Sequence, residues 1–236
     1  MGRKRYIESE QERTLSKLFI SLGLITFVNI ISGIISESAH GAIVNGSCEN
    51  GLNDWMTGGI ISVENNSFGV NPSDGVNQAL GTTANGSLST SVTDGLEDFL
   101  GVPLNIFHDP SNPFFGAATE GSAIKQTFTA QGGDTLSFDW NFLSNDTSNP
   151  DYAFVVLSPE NHLSSLTFDD LIRLDFSNGM MSSSSVFSEE TGYVSVSTSI
   201  PIDGTYLLGI GVIDAGDVLG DSGVLVDHVV LTQETT

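Results

Sequence analysis

The sequence predicts an all-β protein, a β-sandwich of jelly-roll topology that follows an N-terminal signal or anchor segment. Three observations support this prediction. Beyond residue 42, the 236-residue chain shows short apolar or alternating runs instead of helical periodicity. Clusters of Gly, Asn, Asp, Ser and Pro separate these runs, as turns separate strands. About ten such runs follow one another without a repeating unit, which favours a sandwich over βαβ units, a solenoid or a propeller.

The N-terminal segment has the order of an export signal. Residues 1–17 are polar with a net positive charge, residues 18–35 are apolar and uncharged, and the small residues Ala39 and Gly41 precede a cleavage position after Gly41. The apolar run also approaches the length of a membrane span. Two alternatives therefore remain open for residues 1–41, a cleaved signal peptide and an uncleaved anchor. Both predict that residues 42–236 form one domain outside the cytoplasm, secreted or at the cell surface.

The remaining elements are predicted from patterning along residues 42–236. The alternating or apolar runs predict strands at Ala42–Ser47, Gly59–Glu64, Asn77–Thr82, Ser122–Thr129, Asp134–Leu143, Tyr152–Ser158, Leu171–Asp175, Gly192–Ser199, Gly204–Ile213 and Ser222–Leu231. The run LEDFL (96–100) predicts one helical turn, ended by Gly101 and Pro103.

The stretch TLSFDWNFL (135–143) alternates most clearly. One face carries Leu136, Phe138, Trp140 and Phe142. This period of two predicts that Trp140 belongs to the core instead of forming a ligand platform. Asp139 and Asn141 then lie on the opposite face, toward solvent or a groove.

The charge balance excludes one class of partner. The net charge is −22, and beyond Ala42 the only basic residues are Lys125 and Arg173, against 25 acids. Such a domain repels phosphate backbones and anionic lipids, so nucleic-acid binding is not expected, and membrane contact is expected only through an uncleaved N-terminal segment. Two interpretations of the acids stay open. They solubilise an exported protein, or some of them bind a hard cation such as Ca²⁺.

Catalytic signatures are missing from the sequence. The four histidines have no zinc-type spacing, and no G-x-S-x-G elbow is present. A glycosidase pair is defined by the separation of two carboxylates in space, which sequence does not reveal. We therefore expect a protein that is not an enzyme, with a glycan hydrolase or lyase as the alternative.

The stretch VNGSCENGLNDW (44–55) contains Cys48, the only cysteine of the chain. No intramolecular disulfide is available, so the fold depends on its core and on any bound metal. Cys48 does not follow the apolar run directly, and the residues before it are not aliphatic at the position that lipidation needs. We expect Cys48 to be a small buried residue on the first strand, and Trp55 to close the core.

Two acids occur where an unpaired carboxylate is costly. Asp227 interrupts the apolar strand SGVLVDHVVL, and Glu49 ends the predicted first strand. If the first and last strands are neighbours, these acids share one cation. The loop DAGDVLGDSG (214–223) does not match an EF-hand, so Asp214, Asp217 and Asp221 are expected in a solvated turn, with a calcium loop as the alternative.

Four stretches carry a resemblance to a known group of proteins. They are VNGSCENGLNDW (44–55), ATEGSAIKQTFTAQGGDTLSFDWNFLSN (118–145), FSEETGYVSVSTSIPIDGTYLLGIGVID (187–214) and DSGVLVDHVVL (221–231). Together they resemble secreted bacterial proteins with a galactose-binding-like jelly-roll domain, many of which carry a PEP-CTERM sorting signal. Cys48 stands where that group usually has Phe, and the chain ends QETT without the sorting signal.

The resemblance implies a set of functional residues. In related carbohydrate-binding modules, the acids matching Glu49 and Asp227 often hold a structural calcium, and Asn45, Asp54 or backbone groups are expected to complete its shell. Sugars in those modules lie in a concave face or at loop tips. The residues expected to contact a glycan here are Asp139, Asn141, Asp151 and Tyr152.

The function expected from the sequence is binding or structure outside the cell. We expect a non-catalytic module of the cell surface or extracellular matrix, with a glycan or matrix polysaccharide as partner. A structural matrix component that self-associates through its own surface is the second interpretation.

Overall fold

The structure is a computed structural model, and it describes residues 41–108, 117–146, 151–174 and 179–233. The predicted leader (1–41) lies outside the described residues except for Gly41. Within the described ranges, no helix is long and apolar enough to cross a membrane. The elements below belong to one compact unit, His40–Thr236.

The described residues form mostly β-strands. The strands are β1 (Met56–Gly58), β2 (Ile60–Asn65), β3 (Asn77–Thr82), β4 (Leu88–Ser89), β5 (Ala118–Ala130), β6 (Thr135–Ser144), β7 (Tyr152–Pro159), β8 (Ile172–Leu174), β9 (Met181–Ser182), β10 (Glu189–Glu190), β11 (Val194–Ser199), β12 (Gly204–Ala215) and β13 (Ser222–Thr232). One short helix, α1 (Leu96–Leu100), and 3-10 turns at Asn66–Phe68, Glu160–Ser165 and Phe168–Asp170 complete the described elements.

Two antiparallel sheets build the sandwich. Sheet A has the order β1-β5-β12-β7-β8, with β4 also paired to β5. Sheet B has the order β2-β3-β13-β6-β10-β9, with β11 also paired to β6. The chain passes from one sheet to the other between β5, β6 and β7 and again between β12 and β13, as in a jelly roll. The predicted all-β sandwich is confirmed.

The main core lies between the two sheets. The alternation predicted for β6 is confirmed, since Leu136, Phe138 and Phe142 are buried there and Trp140 is only 2% exposed. A second apolar layer covers the outer side of sheet A, where Leu96 and Leu100 of α1 are buried. Gly101 ends α1 in the left-handed conformation (φ 77°), as the predicted stop requires.

The predicted first strand, Ala42–Ser47, is wrong. These residues form an irregular segment without ladder pairing, because Asn45 adopts a positive φ of 54°, as does Cys48 directly after the segment. The side chain of Gln126 replaces a neighbouring strand there. Its Oε1 accepts from the Val44 N–H (2.7 Å), and its Nε2 donates to the Val44 carbonyl (3.0 Å). Alternation in sequence does not reveal a partner of this kind.

Candidate functional site

The segment 44–55 packs against the last strand and folds back on itself. The Val229 N–H of β13 donates to the Gly46 carbonyl at 3.0 Å, so this segment and the last strand are neighbours, which was the condition for Glu49 and Asp227 to share a cation. The Asn45 side chain donates to the carbonyls of Gly51 and Asn53, both at 2.9 Å, and accepts from the backbone N–H of Asn50. These hydrogen bonds engage both the nitrogen and the oxygen of the Asn45 amide, and they stabilise the loop that follows it.

Cys48 and Trp55 both contribute to the core, as expected. Burial, together with the nearby carboxylate of Asp227, raises the pKa of the Cys48 thiol to about 11, so the thiol stays protonated at neutral pH. The indole of Trp55 is buried, and its N–H donates to the Asn45 carbonyl at 3.0 Å. Cys48 therefore acts as a packing residue, although it lies in a turn and not on a strand.

Glu49 and Asp227 hold opposite ends of one loop segment, residues 73–77. Glu49 Oε1 accepts from the N–H groups of Val76 (2.7 Å) and Asn77 (2.9 Å). Asp227 Oδ2 accepts from the Asp74 N–H at 2.9 Å. Glu49, near the start of the domain, and Asp227, on its last strand, thus accept hydrogen bonds from the same loop.

The Asp227 carboxylate is completely enclosed, with 0% of the residue exposed. Burial raises its pKa above the ordinary value, while the N–H groups of Asp74 and His228 and the Ser73 hydroxyl act in the opposite direction. His228 donates to Oδ1 at 2.7 Å and Ser73 to Oδ2 at 3.3 Å. The hydrogen bonds of this buried carboxylate therefore come from the loop and from the next residue of its own strand. His228, which supplies the second kind of donor, has a positive φ of 51°.

The donor chemistry around this loop fits a hard cation only in part. Glu49 and Asp227 supply carboxylate oxygens, which Ca²⁺ prefers. Each acid, however, already accepts hydrogen bonds from loop N–H groups. In the described part of the chain, no three His, Cys, Asp or Glu residues converge as metal ligands. A cation here would thus be held by these two acids together with loop carbonyl or hydroxyl oxygens.

The four residues expected to bind a glycan do not lie together. Asp139 and Asn141 belong to β6 of sheet B, whereas Asp151 and Tyr152 lie at the start of β7 in sheet A. Tyr152 is 3% exposed, its hydroxyl donates to the Phe107 carbonyl at 2.6 Å, and the Arg173 guanidinium lies 5.3 Å from its ring centre. The ring is therefore covered on the surface where a sugar would have to stack.

Asn141 was expected to lie toward solvent or a groove, and this is wrong, since the residue is 0% exposed. Its side-chain N–H donates to Glu190 Oε2 at 2.6 Å, and its Oδ1 accepts from the Thr191 hydroxyl at 3.1 Å. The amide nitrogen and oxygen thus link β6 by hydrogen bonds to the end of β10 and to the residue that follows it. Of the four residues, only Asp139 combines a polar side chain with partial exposure on an open face.

An open polar strip runs along the outer face of sheet B, the side turned away from sheet A. We define the polar strip as Tyr193, Asp139, Ser137, Ser195, Ser197 and His228. Ser195 donates to Asp139 Oδ1, and His228 Nδ1 lies 3.4 Å from Asp139 Oδ2. Ser195 and Ser197 are exposed because the alternation of β11 turns every second side chain outward.

Of the polar strip, the sequence analysis named only Asp139 as a glycan contact, and Tyr193 is the aromatic residue that it missed. Its ring is half-buried beside Asp139, and its hydroxyl donates to Gln78 Oε1. Burial, with the nearby carboxylates of Asp227 and Asp139, raises its pKa above the ordinary value, so the phenol remains neutral. The available signal was an aromatic residue just before the alternating run VSVSTS (194–199).

The polar strip lies apart from the two basic residues of the domain. Lys125 donates to the Phe99 carbonyl on the outer side of sheet A. Arg173 lies on β8, also in sheet A, over the rings of Tyr152 and Phe168. The polar strip therefore offers hydroxyl, carboxylate and imidazole groups without a Lys or Arg side chain.

Comparison with known proteins gives similarity to solved structures alone. No protein-family model matches the chain, and no curated protein sequence does. TmCBM61 in complex with β-1,4-galactotriose is 14% identical, with a TM-score of 0.42 over 81% of this chain and 97% of that chain. The mannan-recognising carbohydrate-binding module TmCBM27 is 15% identical, with a TM-score of 0.39 over 82% and 96%. The K2 cleaved adhesin domain of Lys-gingipain is 12% identical, with a TM-score of 0.40 over 77% and 89%. At these identities no residue role is carried over to this chain.

Proposed function

We propose that this chain is a non-catalytic, exported module of the cell surface or extracellular matrix that binds a neutral glycan through the polar strip of sheet B. The observation that carries the proposal is the half-buried ring of Tyr193 beside Asp139 on an open face. Sugars are recognised by an aromatic surface together with a few polar groups that fix orientation. The polar strip provides both kinds of contact.

The charge of the site supports a neutral ligand. Asp139 is the acid of the polar strip, and Asp227 and Glu190 are close enough to raise the pKa of Tyr193. With Lys125 and Arg173 both on sheet A, an anionic polysaccharide would meet carboxylates without a compensating cation. Sugar hydroxyls can donate to these carboxylates and accept from the serine hydroxyls of β11.

The glycan proposal is tested by screening the purified full chain on an array of neutral and anionic glycans. We expect binding to neutral glycans, an affinity lower by about tenfold or more for Tyr193→Ala, and near-normal affinity for Tyr193→Phe, because the ring and not the hydroxyl makes the contact. Phe99→Ala, on the outer side of sheet A, is the matched control and retains binding. Binding confined to anionic glycans, or equal binding by Tyr193→Ala and the unaltered protein, contradicts the proposal. Release of shortened sugars from the bound glycan would instead favour an enzyme.

We further propose a structural calcium ion between Glu49 and Asp227. Both acids already fix the loop 73–77, and a cation there would tie the segment 44–55, this loop and β13 together. Binding to the folded state alone stabilises a protein in proportion to the logarithm of ligand concentration. The proposal therefore predicts a melting temperature that depends on calcium.

This prediction is checked by thermal melts with EDTA and with added CaCl₂. We expect chelation to lower the melting temperature of the unaltered protein, and Glu49→Gln to weaken that dependence while keeping the fold. Glu64→Gln is the matched control, since the Glu64 carboxylate accepts from the Ser62 hydroxyl on β2, a strand that is not paired with β13. The same calcium response in Glu49→Gln and the unaltered protein would place the ion elsewhere.

A further inference from the structure

Three acids stand side by side across neighbouring strands at one end of sheet A. Asp214 of β12 is directly paired with Glu120 of β5. On the other side of β12, Ile213 is paired with Tyr152, which places Asp151 next to Asp214. We call Glu120, Asp214 and Asp151 the acidic row. Like charges on directly opposed strand positions repel, so a row of three is unfavourable unless something offsets it.

The side chains of Asp151 and Asp214 belong to the inner side of the sheet. Ile213 and Tyr152 pack in the apolar layer outside sheet A, so strand alternation turns their neighbours Asp214 and Asp151 toward sheet B. The facing positions of sheet B are Ser144 and Ser222, whose hydroxyls are 2.9 Å apart. A sandwich normally carries apolar residues at such positions, and here they are carboxylates and hydroxyls.

The central acids are buried with few donors. Asp151 is 1% exposed and Asp214 is 3% exposed. The Ala215 N–H donates to Asp151 Oδ1 at 3.0 Å, and the Thr119 hydroxyl contacts Asp214 Oδ1 at 3.2 Å. Asp151 Oδ2 has no hydrogen-bond partner among the described residues, although the Ser222 hydroxyl is close enough to lower the pKa of this acid. A buried carboxylate oxygen without a partner is costly, and a positively charged ligand would offset that cost.

Among the described residues, the charged side chains that act on the two central acids add negative charge. Burial raises the pKa of Asp151 to about 7, and the carboxylates of Asp214 and Asp146 add to this shift. Burial likewise raises the pKa of Asp214 to about 6, with Glu120, Asp217 and Asp146 acting in the same direction. The charged side chains that act on these two acids are thus all carboxylates.

We propose that this end of the sandwich binds one hard divalent cation of the Ca²⁺ class, with Asp151 and Asp214 as its central ligands. The unpartnered Asp151 Oδ2 and the convergence of three strands on one acidic row carry this inference. Ca²⁺ accepts six to eight oxygen ligands of mixed kind in flexible geometry, whereas Mg²⁺ demands a near-ideal octahedron. A mixed set of carboxylate, hydroxyl and carbonyl oxygens suits the larger ion.

Binding involves a local adjustment, because among the described residues no three acidic groups already stand at ligand distance. Glu120 is partly exposed on a longer side chain and can turn inward. The loop after β12 is held near the acidic row by the Thr119 hydroxyl, which donates to the Asp217 carbonyl at 2.9 Å. The loop that the sequence analysis left between a solvated turn and a calcium loop therefore lies at this site, and its carbonyl and carboxylate oxygens complete the shell.

The site is distinct from the one proposed at Glu49 and Asp227. Ser222 opens β13 beside the acidic row, and Asp227 lies five residues further along the same strand. At the rise of an antiparallel strand, these positions are about 17 Å apart. Substitutions at one site therefore leave the ligands of the other in place.

The test is a calorimetric titration of Ca²⁺ into the full chain carrying Glu49→Gln, which removes a ligand of the other proposed site. We expect one Ca²⁺ to bind, and Asp214→Asn or Asp151→Asn added to this protein to lower its affinity at least tenfold. Asp203→Asn is the matched control, since Asp203 is an exposed turn acid that accepts from the Gly132 N–H. Absence of Ca²⁺ binding to the Glu49→Gln protein overturns the inference. An unchanged Ca²⁺ affinity after both Asp214→Asn and Asp151→Asn also overturns it.

A melting experiment separates a ligand role from a purely structural one. In EDTA, Asp151→Asn should melt at a higher temperature than the unaltered protein, because the substitution removes a buried charge without changing the shape of the side chain. Addition of CaCl₂ should raise the melting temperature of the unaltered protein more than that of the variant. An equal rise in melting temperature in both proteins overturns the inference. Glycan binding by the Asp151→Asn protein reports on the proposed function independently.

Discussion

Asp151→Asn raises the free energy of unfolding of the calcium-free protein at pH 8. The carboxyl is enclosed at the end of the sandwich, and burial raises its pKa from 3.8 to about 7. A difference of that size corresponds to about 4 kcal/mol of destabilisation once the folded protein must carry the charge. The amide of Asn avoids this cost and can still accept from the Ala215 N–H at the position of Oδ1.

The pH dependence follows from the direction of this shift. Between about pH 4 and pH 7 the unfolded chain has released this proton, whereas the folded protein retains it. The folded state then binds more protons than the unfolded state, so stability falls as the pH rises through this window. Below it both states are protonated, and above it the loss is complete. The neighbouring Asp214, whose own pKa burial raises to about 6, adds to the loss when it ionises.

Urea denaturation in EDTA at pH 4.5, 6 and 8 checks this prediction. We expect the unaltered protein to lose stability relative to Asp151→Asn across the series, with the largest difference at pH 8. Asp203→Asn, at an exposed turn, should run parallel to the unaltered protein. A variant that is less stable at pH 8 would mean that the Asp151 carboxylate has a favourable partner in solution.

Gly46→Ala is expected to destabilise the fold by about 3 kcal/mol, at the upper end of the cost of inserting a group into a packed site. A Cβ atom at Gly46 would lie 1.9 Å from the Val229 carbonyl oxygen and 2.9 Å from its carbon. Both atoms are backbone, so no side-chain rotation relieves the clash. The segment 44–55 would have to move away from β13, which breaks the hydrogen bond between Val229 and Gly46.

Gly51→Ala is the matched control within the same segment. Gly51 has a φ of 68°, and no atom lies within 4 Å of the position its Cβ would take. The expected cost of Gly51→Ala is therefore only that of placing alanine in the left-handed conformation, about 1 kcal/mol. Thermal or urea unfolding of both variants gives the comparison, and equal losses would show that packing against β13 does not fix this segment.

The strand pattern was largely predictable because each long strand buries one face. The prediction for Asn77–Thr82 matches β3 at both ends, and those for Asp134–Leu143 and Ser222–Leu231 match β6 and β13 to within a residue. Period-two alternation is a local property, and it therefore identifies Trp140 as a core residue without knowledge of its neighbours. The segment 42–47 failed because its partner is the side chain of Gln126, which lies about 80 positions away in sequence.

The candidate sites were predictable only in part. An acid within an apolar strand is conspicuous in sequence, and Asp227 is indeed buried and bonded to the loop that Glu49 also holds. Asp139, Asn141, Asp151 and Tyr152 were grouped by residue type, and the structure divides them between two sheets. Their assignment as glycan contacts stays a prediction, and Asp139 is the one of the four that lies in the polar strip.

The sequence by itself determined the class of fold, the inward faces of its long strands and the strong negative charge of the domain, because these depend on composition and on spacing of two residues. Only the tertiary structure decided which acids share an environment. Glu120, Asp151 and Asp214 are far apart along the chain, and pairing of β5, β12 and β7 makes them adjacent. Charges interact through space, so their energetic consequences depend on strand order and register, which no local pattern contains.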